Sequence, residues 1–272
     1  MVTTYRFLPA PRRVGFGKVS FWSDNIAILS NFEDNNLYTV DILTGTFNLV
    51  RTNLKYATII DDVVWAITPS ETLVILDPET DYQTIKELGH TEGFDPVVAN
   101  IPGAGRCVLL GSQDFLEVYT LNGTRLQSYN LSDMVIDGVR WQIAAGPAVN
   151  SQGDAIFTAF MEEEVSIETI FGLIVIPAAF GQLHYNIDAA FVLTTNEVSP
   201  DGEALPLIDN DDSFWSLRGR EINHFAPDGE RLESFRIQLR LGDLQTITPR
   251  GDLLFGYEED DEWGLMLVTL PK

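Results

Sequence analysis

One pattern recurs along the chain: an apolar strand, a polar turn, a second strand, a tight turn rich in Asp, Gly or Pro, and a third strand. Its clearest copies share a middle hairpin, LYTVDILTGTFNLV from Leu37 to Val50, LVILDPETDYQTIKEL from Leu73 to Leu88, LEVYTLNGTRLQSYNL from Leu116 to Leu131 and INHFAPDGERLESFRI from Ile222 to Ile237. The turn residues tolerate positive φ or pre-set φ near about −65°, as tight hairpin turns require. Upstream of each hairpin stands another apolar strand: NIAILSNF, VVWAITP, RCVLLGS and SFWSLRG, respectively. Runs with so few polar interruptions suit inner positions covered on both faces.

The hairpins beginning at Leu37, Leu73, Leu116, Ile222 and Leu265 are separated by 36, 43, 106 and 43 residues. The long gap is about twice the others, so a degenerate repeat belongs inside it, and DAIFTAF from Asp154 with IETIFGLIVIP from Ile167 supplies it. That makes six units of roughly 36 to 56 residues, the size of four-stranded propeller blades. The prediction is an all-β, six-bladed β-propeller with four-stranded antiparallel blades, one domain over residues 1–272. The last unit stops at Lys272 without room for an outer strand, whereas TTYRFLP near the N-terminus is a strand with no hairpin of its own. Pairing the two closes the ring and protects strand edges. An open β-solenoid would need shorter, more uniform rungs.

With 40 acidic and 17 basic residues, the net charge is −23, a field that repels a phosphate backbone and disfavours nucleic acid. It leaves a surface for a cationic partner or metal ions on one side, and a highly soluble surface or adaptation to salt on the other. Cys107, the single cysteine, sits in the apolar run RCVLLG and reads as a small buried hydrophobe. MVTTYRFLPAPRR lacks the apolar run of a signal peptide, and the longest apolar segment, Ile170 to Phe180, is broken by Gly172 and Pro177. The expectation is a cytoplasmic monomer that does not engage membranes.

The segment LIDNDDSFWSLRGREINHFAPDGERLESFRI, from Leu207 to Ile237, resembles a blade of the NHL, TolB and SMP-30-like group of six-bladed propellers. The matching positions are Asp209 and Asp211 in the first turn, Trp215 on the inner strand, and Pro227-Asp228-Gly229; Asp77-Pro78-Glu79-Thr80 stands similarly in an earlier unit. These motifs are structural, so the resemblance implies fold more than activity. The SMP-30-like branch implies lactone hydrolysis at a central divalent metal held by an early Glu and later Asn and Asp residues. That set is not placed in this sequence: TEGFD at Thr91 to Asp95 is similar to its start but falls in the third blade.

Candidate chemistry centres on acidic loops. The loops between second and third strands carry Glu33-Asp34, Glu71, Asp114, Glu162-Glu163-Glu164 and the run Glu258-Glu259-Asp260-Asp261-Glu262, while the fifth blade has Arg218-Gly219-Arg220. Such a rim suits a basic protein surface, or Ca²⁺ through oxygen ligands; equally, hairpin tips of an acidic protein are acidic. The residues assigned to partner binding are Glu162, Glu163, Glu164, Glu258, Asp260 and Asp261. Asp209-Asn210-Asp211-Asp212 alternates oxygen groups but lacks the Gly and downstream Glu of an EF-hand, and reads as a turn. His90, His184 and His224 lack metal-ligand spacing; His90, in GHTEG, is best placed for a site, and His224 sits on a blade face. PGAGR at Pro102 to Arg106 precedes a strand rather than a helix, so it is no phosphate cradle. Trp22, Trp65, Trp141, Trp215 and Trp263 fall about once per repeat and read as packing between blades.

The expected function is a non-enzymatic platform that binds a protein or ligand, cationic by charge, through its acidic loop-lined face. No catalytic residue and no cofactor is assigned, Ca²⁺ being the one ion those loops suit. The alternative is a metal-dependent hydrolase or lyase of the SMP-30-like type, with carboxylates and His90 at the channel mouth.

Overall fold

The computed structural model describes residues 4–11, 16–31, 33–93, 96–101, 105–112, 114–132, 134–136, 139–161, 165–169, 172–176, 180–185, 207–218, 221–228, 230–236, 241–259 and 262–270. In chain order the strands are β1 Thr4–Pro9, then β2 Phe16–Phe21, β3 Ile26–Asn31, β4 Asn36–Asp41 and β5 Thr46–Thr52. There follow β6 Tyr56–Ile60, β7 Val63–Ile67, β8 Thr72–Asp77 and β9 Gln83–His90, with a 3₁₀ turn at Pro78–Thr80. Next come β10 Val97–Ile101, β11 Gly105–Gly111, β12 Phe115–Thr120 and β13 Arg125–Asn130. After these run β14 Met134–Ile136, β15 Val139–Val149, β16 Ala155–Met161, β17 Val165–Thr169, β18 Gly172–Ile176 and β19 Phe180–Tyr185. The last are β20 Leu207–Ile208, β21 Phe214–Arg218, β22 Glu221–Phe225, β23 Arg231–Arg236, β24 Leu241–Ile247, β25 Leu253–Glu259 and β26 Glu262–Thr269.

Four sheets are antiparallel meanders of consecutive strands, β2-β3-β4-β5, β6-β7-β8-β9, β10-β11-β12-β13 and β20-β21-β22-β23. A fifth, β24-β25-β26-β1, takes its outer strand from the other end of the chain, with Thr4 opposite Thr269 through Pro9 opposite Gly264. The six-bladed expectation is corrected accordingly: among the described residues the regular four-stranded blade is present five times.

The remaining four-stranded sheet, β14-β15-β16-β19, departs from the pattern. Its β15–β16 turn reaches the first turn of the next sheet, because Ser151 N and Oγ both donate to the Asp212 carboxylate at 2.6 Å. That contact aligns β15 with the first strands of its neighbours, so β16 is second, β19 third, and β14 an added inner strand. The described parts of IETIFGLIVIP are not in this sheet, contrary to expectation. They belong to a separate hairpin, β17 against β18, with Val165 opposite Ile176 and Thr169 opposite Gly172, inserted before β19.

First strands touch in succession: β2 meets β6, β6 meets β10, β10 meets β15, β15 meets β20, β20 meets β24, and β24 returns to β2. The core lies between sheets. Ile28 and Leu37 pack on Val64, Ala66 and Val74 of the next sheet, while Leu29 and Val40 pack on Leu254 and Leu265 behind. Successive residues of a strand thus serve opposite neighbours, since side chains alternate faces, and IAIL is apolar throughout because both faces are covered. Trp65 faces Val108, Leu110 and Tyr119, and Trp215 faces Leu253 and Phe255, so both serve packing between sheets.

Polar links stitch the sheets at their outer edges. Arg6 donates to the Leu43 carbonyl, Arg51 to the Tyr82 carbonyl, and Lys86 Nζ to the Asn122 carbonyl at 2.6 Å. Turns form because side-chain oxygens satisfy local N–H groups. The Asp41 carboxylate accepts from Leu43 N at 2.8 Å, Asp77 from Glu79 N at 2.9 Å and Asp228 from Glu230 N at 3.0 Å, each between the third and fourth strands of its sheet.

Candidate functional site

Alternating strand direction sends the loops between second and third strands, and the connections between sheets, to one face. The other face receives the first-to-second and third-to-fourth turns. The acidic loops at Glu33-Asp34, Glu71 and Asp114 therefore share a face, although their side chains have different occupations. Glu33 is exposed, its backbone N held by Asn31 Oδ1 at 3.1 Å. Asp34 is engaged, accepting from Tyr38 Oη at 2.7 Å and from Asn36 N at 3.1 Å. Glu71 adopts φ 58° and lies 4.0 Å from the exposed His90 imidazole, so the histidine meets one carboxylate. Asp114 is exposed and edges a shallow groove with Phe115, Ser128, Tyr129, Asn130 and Ser132.

Of the residues assigned to partner binding, Glu258 lies in β25 opposite Trp263, at the end of the β25–β26 hairpin. Glu162, Glu163, Glu164, Asp260 and Asp261 lie outside the described residues. Among the described residues, no group of three or more His, Cys, Asp or Glu side chains is arranged to hold a metal ion. The described acidic groups line the face without converging. Phe94 and Asp95 of TEGFD also lie outside the described residues, whereas Thr91 is buried, with Gly93 N donating to its hydroxyl at 3.0 Å.

A cluster of linked polar side chains lies on the opposite face, in the sheet of β20–β23. His224 Nε2 is 2.8 Å from Ser213 Oγ, and His224 Nδ1 is 3.2 Å from Glu233 Oε1. Ser213 Oγ donates to Asp211 Oδ1 at 2.5 Å, and the imidazole stacks on Trp215 with ring centres 3.9 Å apart and 3° between planes. The Ser213 hydroxyl, then its N–H, hold the Asp211 carboxyl below the usual range. Sequence reasoning placed His224 on a blade face but missed this chain. The available signal was cross-strand register: one residue separates Ser213 from Trp215, and Trp215 lies opposite His224.

A second buried polar group sits between two sheets. Glu117 accepts from Tyr119 Oη at 2.7 Å and pairs with Arg125 at 2.7 Å. Burial first, then the neighbouring carboxylate, pushes the Tyr119 phenol well up from its ordinary value. Cys107 is buried as expected, and desolvation raises its thiol, which disfavours the reactive thiolate.

No protein-family model and no curated protein sequence matches the chain. Solved structures do. A streptogramin B lyase aligns with TM-score 0.60 at 12% identity, covering 98% of each chain. A gluconolactonase from Xanthomonas campestris aligns with TM-score 0.64 at 13% identity, over 99% of this chain and 90% of its own. The AfRom2 CNH domain aligns with TM-score 0.57 at 9% identity, over 99% and 100%. The chain is a β-propeller. At such identities the likeness concerns the fold, and propellers host unrelated functions. In this propeller the face of second-to-third-strand loops and the Asp211–Glu233 cluster lie at opposite ends of the blades.

Proposed function

We propose that this propeller is a non-enzymatic binding platform whose loop-lined face takes a cationic protein or peptide. We further infer that the irregular sheet of β14, β15, β16 and β19 serves as the sixth blade, since β15 stands between β10 and β20 in the succession of first strands. The observation that carries the platform reading is the gathering of Glu33, Glu71 and Asp114 on one face by strand direction. A rim of one sign steers and orients an oppositely charged partner, with an attraction that weakens as salt rises.

A fluorescent octa-arginine peptide tests the reading by anisotropy at low and moderate salt. The triple variant Glu33→Lys, Glu71→Lys, Asp114→Lys is expected to weaken binding about tenfold, the change of about 1.4 kcal/mol that three rim charges can supply together. The comparison variant reverses Asp24, Asp62 and Asp252 on the other face, changing net charge equally. Equal losses in both variants would show attraction to net charge alone and defeat the proposal. Turnover of a sugar lactone with added divalent metal by the wild-type protein would overturn the non-enzymatic reading.

A further inference from the structure

The chain of bonds Asp211–Ser213–His224–Glu233 has the outline of a Ser-His-carboxylate triad, yet its chemistry is different. Ser213 is 2% exposed and its hydroxyl already donates to Asp211. The serine proton is thus directed at Asp211 and away from the imidazole that acyl transfer would need to take it.

Proton inventory decides what the chain does. Ionised Glu233 only accepts, and Ser213 Oγ, its single proton directed at Asp211, accepts from His224. Both ring nitrogens face acceptors, so the ring donates on both sides only when doubly protonated. With one proton, kept on Nδ1 for Glu233, the Ser213 hydroxyl must turn toward Nε2, and Asp211 loses that donor. The turn affected is the one that grips the neighbouring sheet through Asp212 and Ser151.

We propose that His224 is a proton-operated latch on the turn 209–213: its doubly protonated ring holds Ser213 and Asp211 in place and, through Asp212, secures the seam with the β15–β16 turn. Glu233 and Trp215 meet the ring directly; Asp209, Asp211 and Asp212 stand in the turn, Arg231 lies on β23, and Tyr257 belongs to the cluster that holds Trp215. The latch is complete with His224 protonated and Asp211 ionised. It loosens when the ring gives up its second proton, and again when falling pH protonates Asp211, whose carboxyl is held below the usual range.

Amide hydrogen exchange on the full chain tests this at about pH 5.5 and about pH 8, with rates corrected for intrinsic pH dependence. The reporters are Ser213 N, bonded to Asp211 at 3.0 Å, and Ser151 N, bonded to Asp212. Protection at both sites is expected to fall about fivefold at the higher pH, roughly the worth of one hydrogen bond. His224→Gln and Ser213→Ala should each erase the difference, with melting curves confirming that the variants are folded. Equal corrected rates in the wild-type protein at the two pH values overturn the latch, with or without folded variants; so does a wild-type-sized difference in either folded variant.

Discussion

Replacing Leu8 by Ala asks whether β1 closes the ring or merely rests on it. Leu8 is 1% exposed and belongs to the cluster of Val19, Ala27, Leu29, Val40, Ile42, Leu254 and Leu265, which joins the last sheet to the first. Truncating a buried leucine removes its transfer free energy and leaves a cavity whose walls relax only in part, about 3 kcal/mol in a well-packed site. With a urea dependence of about 3 kcal/mol per molar, the unfolding midpoint should fall by about 1 M. The control is Leu49→Ala on outer strand β5, 54% exposed, where a change within about 0.5 kcal/mol is expected. Equilibrium denaturation followed by tryptophan fluorescence and by circular dichroism reads both. If Leu8→Ala costs no more than Leu49→Ala, β1 does not pack as described and the closure argument fails. Deleting residues 1–8 should be more severe still, because it removes the ladder with β26 and the edge-on contact of Phe7 with Tyr257, 4.6 Å between ring centres.

Gly264→Ala should destabilise the same closure, since a Cβ there would collide with the Leu8 backbone carbonyl; a lowered melting temperature is the check. Tyr119 has a raised pKa, so its contribution is complete below the ordinary phenol value near 10 and is lost as pH rises through the higher folded value. Melting curves at alkaline pH should thus fall more steeply for the wild type than for Tyr119→Phe. Asp41, held low first by the Leu43 N–H, behaves in the opposite sense: its contribution is present above the ordinary carboxylate range and is lost as pH falls through the folded value. Asp41→Asn should flatten the acid limb of melting temperature against pH. Cys107, 1% exposed with a raised thiol pKa, should react with a thiol reagent only on unfolding, so labelling at the unfolding rate is the expected kinetics.

Sequence and tertiary structure divided this protein along the range of the forces involved. Local signals marked the hairpins. Asp41, Asp77 and Asp228 close their turns with oxygens two residues from the N–H groups they satisfy, so the information is contiguous. The double apolar runs in β3, β7 and β11 were equally legible, because covering both faces leaves no polar alternation to read. Even the long-range pairing of β1 with β26 followed from a strand without a hairpin and a last sheet without an edge. The acidic rim was readable as composition and strand parity, yet only the folded ring could distinguish exposed Glu33 from Asp34, which Tyr38 engages. The irregular sheet and the Asp211–Glu233 cluster depended on three-dimensional contact. Val165–Thr169 pairs with Gly172–Ile176 rather than with β16, a choice between partners of similar strand character. Ser151 finds Asp212, 61 residues away, through the seam between two sheets. Local chemistry writes strands and turns into the sequence; which strand meets which, and whether a polar group ends up paired, is decided when distant segments compete for the same contacts.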